Sequence, residues 1–187
     1  MSSYIQDDWQ LSSLTEAQLG VRAAYYSDGS DLAVNPRFSL RHFLRDNLQI
    51  KLAGGTYRQY LQLVSSEGFS GADTWVPLDD TVDPGRSWQM ITGLEWDASK
   101  TYNLSTEAYY TDLSNLVSVN QDAEENREDL NSKELFHTGG TGYATGLEFF
   151  LEKRSGQLTG WLGYTLGWTR RTFDQIDYGR SHPPKYD

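Results

Sequence analysis

The sequence contains no cysteine, so neither a disulfide framework nor a thiolate-ligated metal site is possible. It has no run of about 18 apolar residues, which excludes a membrane-spanning helix. The first residues, MSSYIQDDWQ, show neither the basic region nor the apolar region of a signal peptide. Basic residues are outnumbered, 16 against 26 acidic ones, and this balance disfavours nucleic acid and anionic lipid headgroups as main partners.

Aromatic residues, in contrast, are abundant for so hydrophilic a chain. There are 12 Tyr, 6 Trp and 7 Phe among 187 residues, although the mean hydropathy is −0.63. This combination favours large side chains on the faces of strands rather than in long apolar runs. The length suits one domain, or part of a larger one.

Apolar and polar residues alternate with a period of two, which predicts β-strands. Short joins rich in turn-forming residues divide the strands into four hairpins: SSLTE (12–16), RDN (45–47), DASK (97–100) and KRSG (153–156). Longer polar stretches separate the hairpins, at 28–35, 61–86 and 114–142. We therefore predict an all-β, antiparallel up-and-down sheet with tight turns at one end and long loops at the other. Its eight strands are expected at 3–11, 17–27, 36–45, 47–60, 87–97, 101–113, 143–153 and 157–173.

The third hairpin allows a prediction of register. Folding the chain at DASK places Trp96 opposite Tyr102 and Trp88 opposite Tyr110, and the even-numbered apolar residues of both strands then all lie on one face. Aromatic residues mark both ends of that face, about 20 Å apart after the usual strand tilt. This pattern is typical of the apolar band and aromatic girdles of an outer-membrane barrel. The open alternative is that these four residues are core aromatics of a soluble sandwich.

The last hairpin repeats the pattern, with Trp168 as a further aromatic of the membrane interface. Its polar face includes Glu148, although Phe150 and Trp161 fall on that face as well. Elsewhere His42 and Asp7 fall on apolar faces. We expect Asp7 to lie near an interface or to pair with a neighbour, because an isolated carboxylate in lipid is costly.

Charges separate along the strand axis. The long stretches 65–86 and 112–134 are strongly acidic, whereas the short turns carry Arg45, Lys100, Lys153 and Arg154. One rim is therefore predicted to be acidic and the other basic. Asp79, Asp80 and Asp83 could supply oxygen ligands to Ca²⁺, but their spacing matches no EF-hand, so a solvated loop is the simpler interpretation.

Several phrases of the sequence resemble the barrels of TonB-dependent outer-membrane receptors, and they occur in the order expected for the middle-to-late part of such a barrel. The phrases are YIQDDWQL (4–11), GVRAAYYSD (20–28), NPRFSLRHFLRDNLQIKLAGGTYRQ (35–59), GLEWDASKTYNLSTEAYYTDLSNLV (93–117) and GTGYATGLEFFLEKRSGQLTGWLGYTLGWTRRTF (140–173).

The resemblance implies a 22-stranded transmembrane β-barrel around a plug, located in the bacterial outer membrane and surrounded by its lipid. Such receptors import a ferric siderophore, cobalamin or a carbohydrate with energy from the TonB complex. We expect residues 1–187 to be a partial barrel domain of about eight strands without a plug domain. The contact with TonB would then be made by an N-terminal part that is missing here, as are the remaining barrel strands.

No catalytic constellation is evident. His42, His137 and His182 have no partner at the spacing of a triad or a metal site, and no cofactor or metal is predicted. The resemblance implies that a small ligand contacts long loops and inward-facing strand residues. The candidate ligand-binding residues are Trp75 in the first long loop and Arg22, Arg41, Lys51, Glu107 and Glu148 on the strands.

Two alternatives remain open from the sequence: a soluble extracytoplasmic β-barrel or sandwich that binds a ligand inside, and a small complete outer-membrane barrel. Alternation alone cannot separate them from the receptor hypothesis, since it is identical whether the apolar face points inward or outward. The aromatic residues at the strand ends, the unequal loops and the charges on the polar face favour the receptor.

Overall fold

The computed structural model describes residues 1–64, 74–120 and 131–184, and most of these residues form one antiparallel sheet. Its strands are β1 (Ser2–Ser12), β2 (Thr15–Tyr26), β3 (Asp31–Arg45), β4 (Leu48–Gln59), β7 (Gly85–Asp97), β8 (Tyr102–Val119), β9 (Phe136–Lys153) and β10 (Gly160–Thr172). They lie side by side in this order, so that β1 and β10 form the two edges of the sheet.

The connections contain three further elements. A small hairpin is formed by β5 (Leu61–Val64) and β6 (Thr74–Pro77), and a single turn of helix, α1 (Ser132–Leu135), precedes β9. A 3-10 turn covers Asp177–Gly179. No helix in the described ranges is long and apolar enough to cross a membrane.

The eight predicted strands and the up-and-down topology are confirmed. Two strands extend beyond their predicted ends: β8 continues to Val119 and β9 begins at Phe136, so both project into the predicted loop 114–142. β10 begins only at Gly160 rather than at the predicted residue 157, so Leu158 lies in the turn. Parts of the acidic stretches, 65–73 and 121–130, fall outside the described residues.

The predicted register of the third hairpin is wrong by two residues. Trp96 lies opposite Leu104 rather than Tyr102, and Met90 rather than Trp88 lies opposite Tyr110. The turn is longer than DASK because the Ser99 hydroxyl accepts hydrogen bonds from the backbone N–H groups of Thr101 and Tyr102, both at 3.1 Å. A shift of two residues keeps every side chain on its predicted face, so the face assignment remains correct.

Odd-numbered and even-numbered residues of each strand lie on opposite faces of the sheet. We call the face that carries Leu52, Trp88, Leu94, Leu104 and Leu162 the apolar face, and the face that carries Arg22, Arg41, Lys51, Glu107 and Glu148 the polar face. Cross-strand partners share a face throughout; for example, Leu52 lies opposite Thr92, Thr92 opposite Ala108, and Ala108 opposite Leu147.

At the loop end, a small core joins the two long connections. Leu78, Val82, Val117 and Phe136 are buried together there. Asp79 links the first connection to α1: its carboxylate accepts a hydrogen bond from Ser132 N at 2.8 Å, and its own N–H donates to the Ser132 hydroxyl at 3.0 Å. We call this reciprocal contact the rim clasp.

The pairing of β3 with β4 ends at Arg37 and Gly55, short of the loop end. Beyond that point β3 pairs with β2, and β4 pairs with β7. Tyr60, just after β4, stacks on Tyr26 of β2 with the ring centroids 4.6 Å apart and donates a hydrogen bond to Asp31 at 3.0 Å. The end of β4 is thereby anchored across β3 to the strand beyond it.

Candidate functional site

The apolar face leaves its large side chains uncovered. Trp88 is 45% exposed, Leu94 40%, Leu104 37% and Leu162 68%. These residues therefore do not form the dry, closed interior that a soluble sandwich requires. A face of this kind, with contiguous exposed aromatic and aliphatic groups, is what a lipid-contacting barrel wall presents.

Aromatic residues border the apolar face at both ends. Toward the loops, the ring centroids of Trp88 and Tyr110 are 5.4 Å apart and those of Tyr110 and Tyr143 are 6.3 Å apart. Trp168 completes this border, two strands beyond Tyr110 in the same cross-strand row. Toward the turns, Trp96 and Tyr102 lie about eight residues from the first border, and Lys153 Nζ is 5.9 Å from the ring centroid of Tyr102.

Asp7 and His42, which the alternation places on the apolar face, both have partners. The Asp7 carboxylate accepts a hydrogen bond from the indole N–H of Trp9 on the same strand. His42 is 2.9 Å from the hydroxyl of Thr15, its direct cross-strand neighbour. The expectation that Asp7 pairs with a neighbour is therefore confirmed.

The polar face brings four of the five predicted strand candidates into one cross-strand row. Arg41 lies opposite Lys51 and Glu107 opposite Glu148, with Gly93 between the two pairs. The basic pair is compensated within the chain: Arg41 forms an ion pair with Glu16 at 3.4 Å, and Lys51 forms one with Glu95. Glu107 and Glu148 form no ion pair in the described part of the chain.

Ion pairs continue along the polar face toward the turns. Asn103 is buried and donates to Asp97 at 3.0 Å and to Glu95 at 3.4 Å. Asp97 in turn pairs with Arg154 at 2.8 Å, and Arg154 pairs with Glu152 at 2.8 Å. A connected network of ion pairs and hydrogen bonds thus runs from β4 to the turn after β9. The charges in this network compensate one another without a bound ligand.

The remaining two candidates lie apart from this row. Arg22 is on the polar face of β2, closer to the loops, where it donates to the Ser2 hydroxyl at 3.2 Å. Trp75 lies on the small hairpin of β5 and β6 and is 58% exposed. The structure therefore gathers Arg41, Lys51, Glu107 and Glu148 but does not bring Trp75 to them.

Phe150 and Trp161, which break the alternation, stack on each other with ring centroids 5.9 Å apart. Both lie on the polar face near the turn after β9. Their mutual contact explains how two large apolar groups are accommodated there.

Sequence reasoning omitted Arg37 and Tyr57, which also belong to the polar face. The Arg37 guanidinium lies over the Tyr57 ring, 4.7 Å from its centroid. Arg37 has the same parity as Arg41 on β3, so strand alternation could have identified it. Its contact with Tyr57 depends on the register between β3 and β4.

The described residues contain no group of three His, Asp or Glu side chains arranged to hold a metal ion. The Asp79 carboxylate is engaged by Ser132 and Thr81. Burial acts to raise the pKa of Asp79, but the hydrogen bonds from Thr81 and Ser132 outweigh it and hold this pKa below its usual value of 3.8. The role of this carboxylate in the structure is thus to join two connections.

The family model for the β-barrel of TonB-dependent receptor-like proteins matches residues 1–185, nearly the whole chain. The chain belongs to the TonB-dependent receptor family. Members of this family are outer-membrane transporters rather than enzymes. Among curated proteins, none matches the sequence significantly.

Solved structures of TonB-dependent receptors share the fold of this family member at low sequence identity. The siderophore receptor PirA from Pseudomonas aeruginosa matches 93% of this chain with a TM-score of 0.66 and 15% identity. The ferric-catecholate import receptor Fiu from E. coli K12 matches 93% with a TM-score of 0.59 and 16% identity. A G324V mutant of the ferric enterobactin receptor PfeA from Pseudomonas aeruginosa matches 94% with a TM-score of 0.60 and 15% identity.

This TonB-dependent receptor chain spans about a third of each of those proteins: 37% of PirA, 28% of Fiu and 30% of PfeA. It therefore corresponds to a set of consecutive strands of the larger barrel. The antiparallel sheet with two free edges and two chemically distinct faces is the form expected of such a wall segment.

Proposed function

We propose that the protein acts in the outer membrane as a TonB-dependent importer, with residues 1–187 supplying a partial barrel domain. The apolar face contacts lipid and the polar face borders the route of the cargo. The observation that carries this proposal is the pairing of an exposed, aromatic-bordered apolar face with a charged opposite face, on a chain that belongs to this family.

The cargo is proposed to be a ferric siderophore, with cobalamin or a carbohydrate as the other classes that the family imports. The similar structures support the first class, since PirA is a siderophore receptor, Fiu a ferric-catecholate import receptor and PfeA a ferric enterobactin receptor. Energy would come from the TonB complex through a part of the receptor outside these residues.

The acidic pair Glu107 and Glu148 on the polar face supports the proposal that a plug lies inside the barrel. Glu107 and Glu148 lie directly opposite each other, an arrangement that is unfavourable for like charges unless a cation lies nearby. We propose that basic side chains of a plug supply this cation. The variant Glu107→Gln/Glu148→Gln would then weaken the binding of the plug inside the barrel. A loosely bound plug is expected to increase the sensitivity of the cells to large antibiotics. Glu16→Gln, whose charge is paired with Arg41, is the matched control.

Uptake measurements test the proposed transport. The full-length receptor would be produced in a bacterial host with and without a functional TonB, and the probes would be radiolabelled ferric enterobactin, cobalamin and maltotetraose. Accumulation of one probe in the TonB-containing host alone is the expected result. Equal accumulation in both hosts, or none of any probe despite correct insertion in the outer membrane, would refute the proposal.

A further inference from the structure

Two neighbouring cross-strand rows of the apolar face, on β7 to β10, form a groove near the turns. One row contains Trp96, Leu104, Leu151 and Leu162, and the other contains Leu94, Thr106, Phe149 and Tyr164. Together with Ser105 and Phe150, these residues line a cavity of about 310 Å³. We call this cavity the turn-end groove. Its volume lies within the range of ligand sites, about 300–1,000 Å³.

The groove follows β8 because this strand carries small side chains on the apolar face. Thr106 lies between Leu94 on β7 and Phe149 on β9, and Ala108 is the next residue of β8 on this face. The segment from Tyr102 to Ala108 spans about 20 Å along the strand, or about 15 Å across the membrane after the usual tilt. One leaflet of a bilayer contributes about 15 Å of hydrocarbon, half of the whole core. The groove therefore has the length of an acyl chain in one leaflet.

Lys153 lies at the turn end of the groove, on the same face. It is opposite Tyr102 on β8 and Gly160 on β10, in the row next to Leu151. Its Nζ atom is 5.9 Å from the centroid of the Tyr102 ring, within the range of a cation–π contact. Because Gly160 has no side chain, β10 leaves space beside the ammonium group. The donors of this group are thus available to a ligand that lies in the groove.

Lys153 forms no ion pair in the part of the chain that the structure describes. Its sequence neighbour Glu152 pairs with Arg154 at 2.8 Å, and Asp97 pairs with the same arginine at 2.8 Å. These carboxylates belong to the network of the polar face. The charge of Lys153 is therefore left for a partner on the apolar face.

The other cavity of about 620 Å³ on the apolar face lacks this combination. It contains the Asp7 carboxylate, and its basic residue, Arg37, places its guanidinium over Tyr57 on the polar face. Arg45 and Lys100 at the turns also form no ion pair in the described ranges, but neither lines the turn-end groove. The position of Lys153 beside an apolar groove, rather than its charge alone, distinguishes this site.

We propose that the turn-end groove binds one anionic phospholipid of the surrounding membrane, with an acyl chain along β8 and the headgroup phosphate on Lys153. The ammonium group forms a charge-assisted hydrogen bond with the phosphate. In a zwitterionic phospholipid the lipid's own cation already compensates the phosphate, so the site favours lipids with a net negative charge. This inference rests on the proposed outer-membrane function, because it requires the apolar face to contact lipid.

Lipid binding by the purified full-length receptor in detergent tests the inference. The receptor is titrated with dipalmitoyl phosphatidylglycerol or with dipalmitoyl phosphatidylcholine, and bound lipid is counted by native mass spectrometry. Phosphatidylglycerol is expected to bind more tightly. Lys153→Gln should weaken its binding about fivefold, the effect of one basic residue near a lipid surface. Equal binding of both lipids, unchanged in Lys153→Gln, would indicate a general lipid layer only and overturn the inference.

Two further variants isolate the role of charge at this position. Lys153→Arg keeps the charge and should retain the preference for phosphatidylglycerol. Lys100→Gln removes a lysine from the turn between β7 and β8 and should leave this preference unchanged. An equal loss in Lys100→Gln and Lys153→Gln would show that surface charge at the turns attracts the lipid without a site, and would overturn the inference.

A third pair of variants tests the groove itself. Thr106→Phe fills the groove but keeps Lys153, so it should weaken the binding of dipalmitoyl phosphatidylglycerol. Val21→Phe, on the same face of β2 and outside the groove, is the matched control and should have no effect. Glycerol 3-phosphate, a headgroup without acyl chains, should not displace the lipid. Displacement by glycerol 3-phosphate, or equal binding in Thr106→Phe and Val21→Phe, would refute the role of the groove.

The lipid titration and the uptake assay fail independently. Phosphatidylglycerol binding that depends on Lys153, in a receptor that imports none of the cargo probes, would retain the inference and refute the transport proposal. TonB-dependent uptake by a receptor without any preference for phosphatidylglycerol would retain the transport proposal and refute the inference.

Discussion

The phenol ring of Tyr109 covers Gly146, its direct cross-strand neighbour on the polar face. A Cβ atom at Gly146 would lie 2.7 Å from both Tyr109 Cζ and Oη and 2.8 Å from the Leu166 carbonyl oxygen. The same hydroxyl lies 3.1 Å from the Cβ position of Gly167 on the next strand. One aromatic ring thus protects the backbone at two glycines, and this packing joins β8, β9 and β10.

We therefore expect Gly146→Ala to destabilise the sheet by about 1–3 kcal/mol, because the added methyl group must displace both the ring and a backbone carbonyl. Gly163→Ala is the matched control on β10, since the closest atom to its Cβ position is 3.7 Å away. Urea unfolding of both variants in detergent micelles, followed by tryptophan fluorescence, measures the difference. Equal stability of the two variants would contradict the packing described here.

The two faces should respond in opposite ways to an introduced charge. Ala108 lies in the middle row of the apolar face, between Thr92 and Leu147, whereas Thr111 lies on the polar face of the same strand. Ala108→Arg is expected to cost about 2–4 kcal/mol in a lipid bilayer, the penalty for a cation near the midplane. Thr111→Arg should be tolerated, because its neighbours on β7 and β9 are Gln89 and Ala144.

The yield of protein inserted into the outer membrane, and its unfolding free energy in phospholipid vesicles, would quantify this contrast. If Thr111→Arg proved the more harmful of the two, the assignment of the faces would be reversed.

Asn103 should be sensitive to the introduction of a carboxylate. Its amide donates to both Asp97 and Glu95 and is buried between them. In Asn103→Asp, a third carboxylate would face two others, and like-charge repulsion is expected to destabilise the fold at pH 7. The variant should therefore lose less stability at pH 5, where protonation relieves part of this repulsion.

Stability measured between pH 7 and pH 5 for Asn103→Asp and for Asn103→Thr would isolate the effect of charge. The neutral variant loses the same hydrogen bonds but adds no carboxylate. A similar pH dependence in the two variants would show that repulsion is not the cause.

The rim clasp should weaken in acid. Because the folded-state pKa of Asp79 is below 3.8, its carboxylate stabilises the clasp fully above the unfolded-state value, and this contribution is lost as the pH falls through the folded-state pKa. Hydrogen exchange at the Ser132 amide, which donates to Asp79, should therefore lose protection below about pH 4.

Asp79→Asn provides the comparison for this measurement. The Asn side chain does not titrate. Hydrogen-exchange protection of the Ser132 amide should therefore be lower at neutral pH, and the part of its pH dependence that arises from the Asp79 carboxylate should be absent. Glu134 also lies near this site, where its carboxylate accepts a hydrogen bond from the Asn131 N–H, and this capping contact should persist in the variant. Unchanged protection in Asp79→Asn at neutral pH would show that the clasp does not depend on the carboxylate.

The strands and their faces could be predicted from the sequence because alternation depends on neighbouring residues within one segment. Register depends on the turn, and here the hydroxyl of Ser99 lengthens the turn beyond DASK. The extension of β8 past residue 113 was also not predictable from alternation, since Asn115 adopts a positive φ of 52° and the pairing shifts around it. A local departure of this kind changes the parity of the residues that follow.

The candidate site, like the fold, could be predicted from the sequence only in part. Parity alone placed Arg22, Arg41, Lys51, Glu107 and Glu148 on one face, but it could not show which charges neutralise one another. The pairing of Lys51 with Glu95 and the stacking of Arg37 on Tyr57 arise between strands that are distant in sequence or set by register. Their identification required the three-dimensional structure.

The network that runs through Lys51, Glu95, Asn103, Asp97 and Arg154 also affects how this wall responds to salt. It connects β4, β7, β8 and the turn after β9 near their turn ends, whereas the opposite ends are held by a small apolar cluster and the clasp at Asp79. The turn ends are thus held mainly by charge pairs, which dissolved salt screens, whereas the apolar cluster at the loop ends is not weakened in this way.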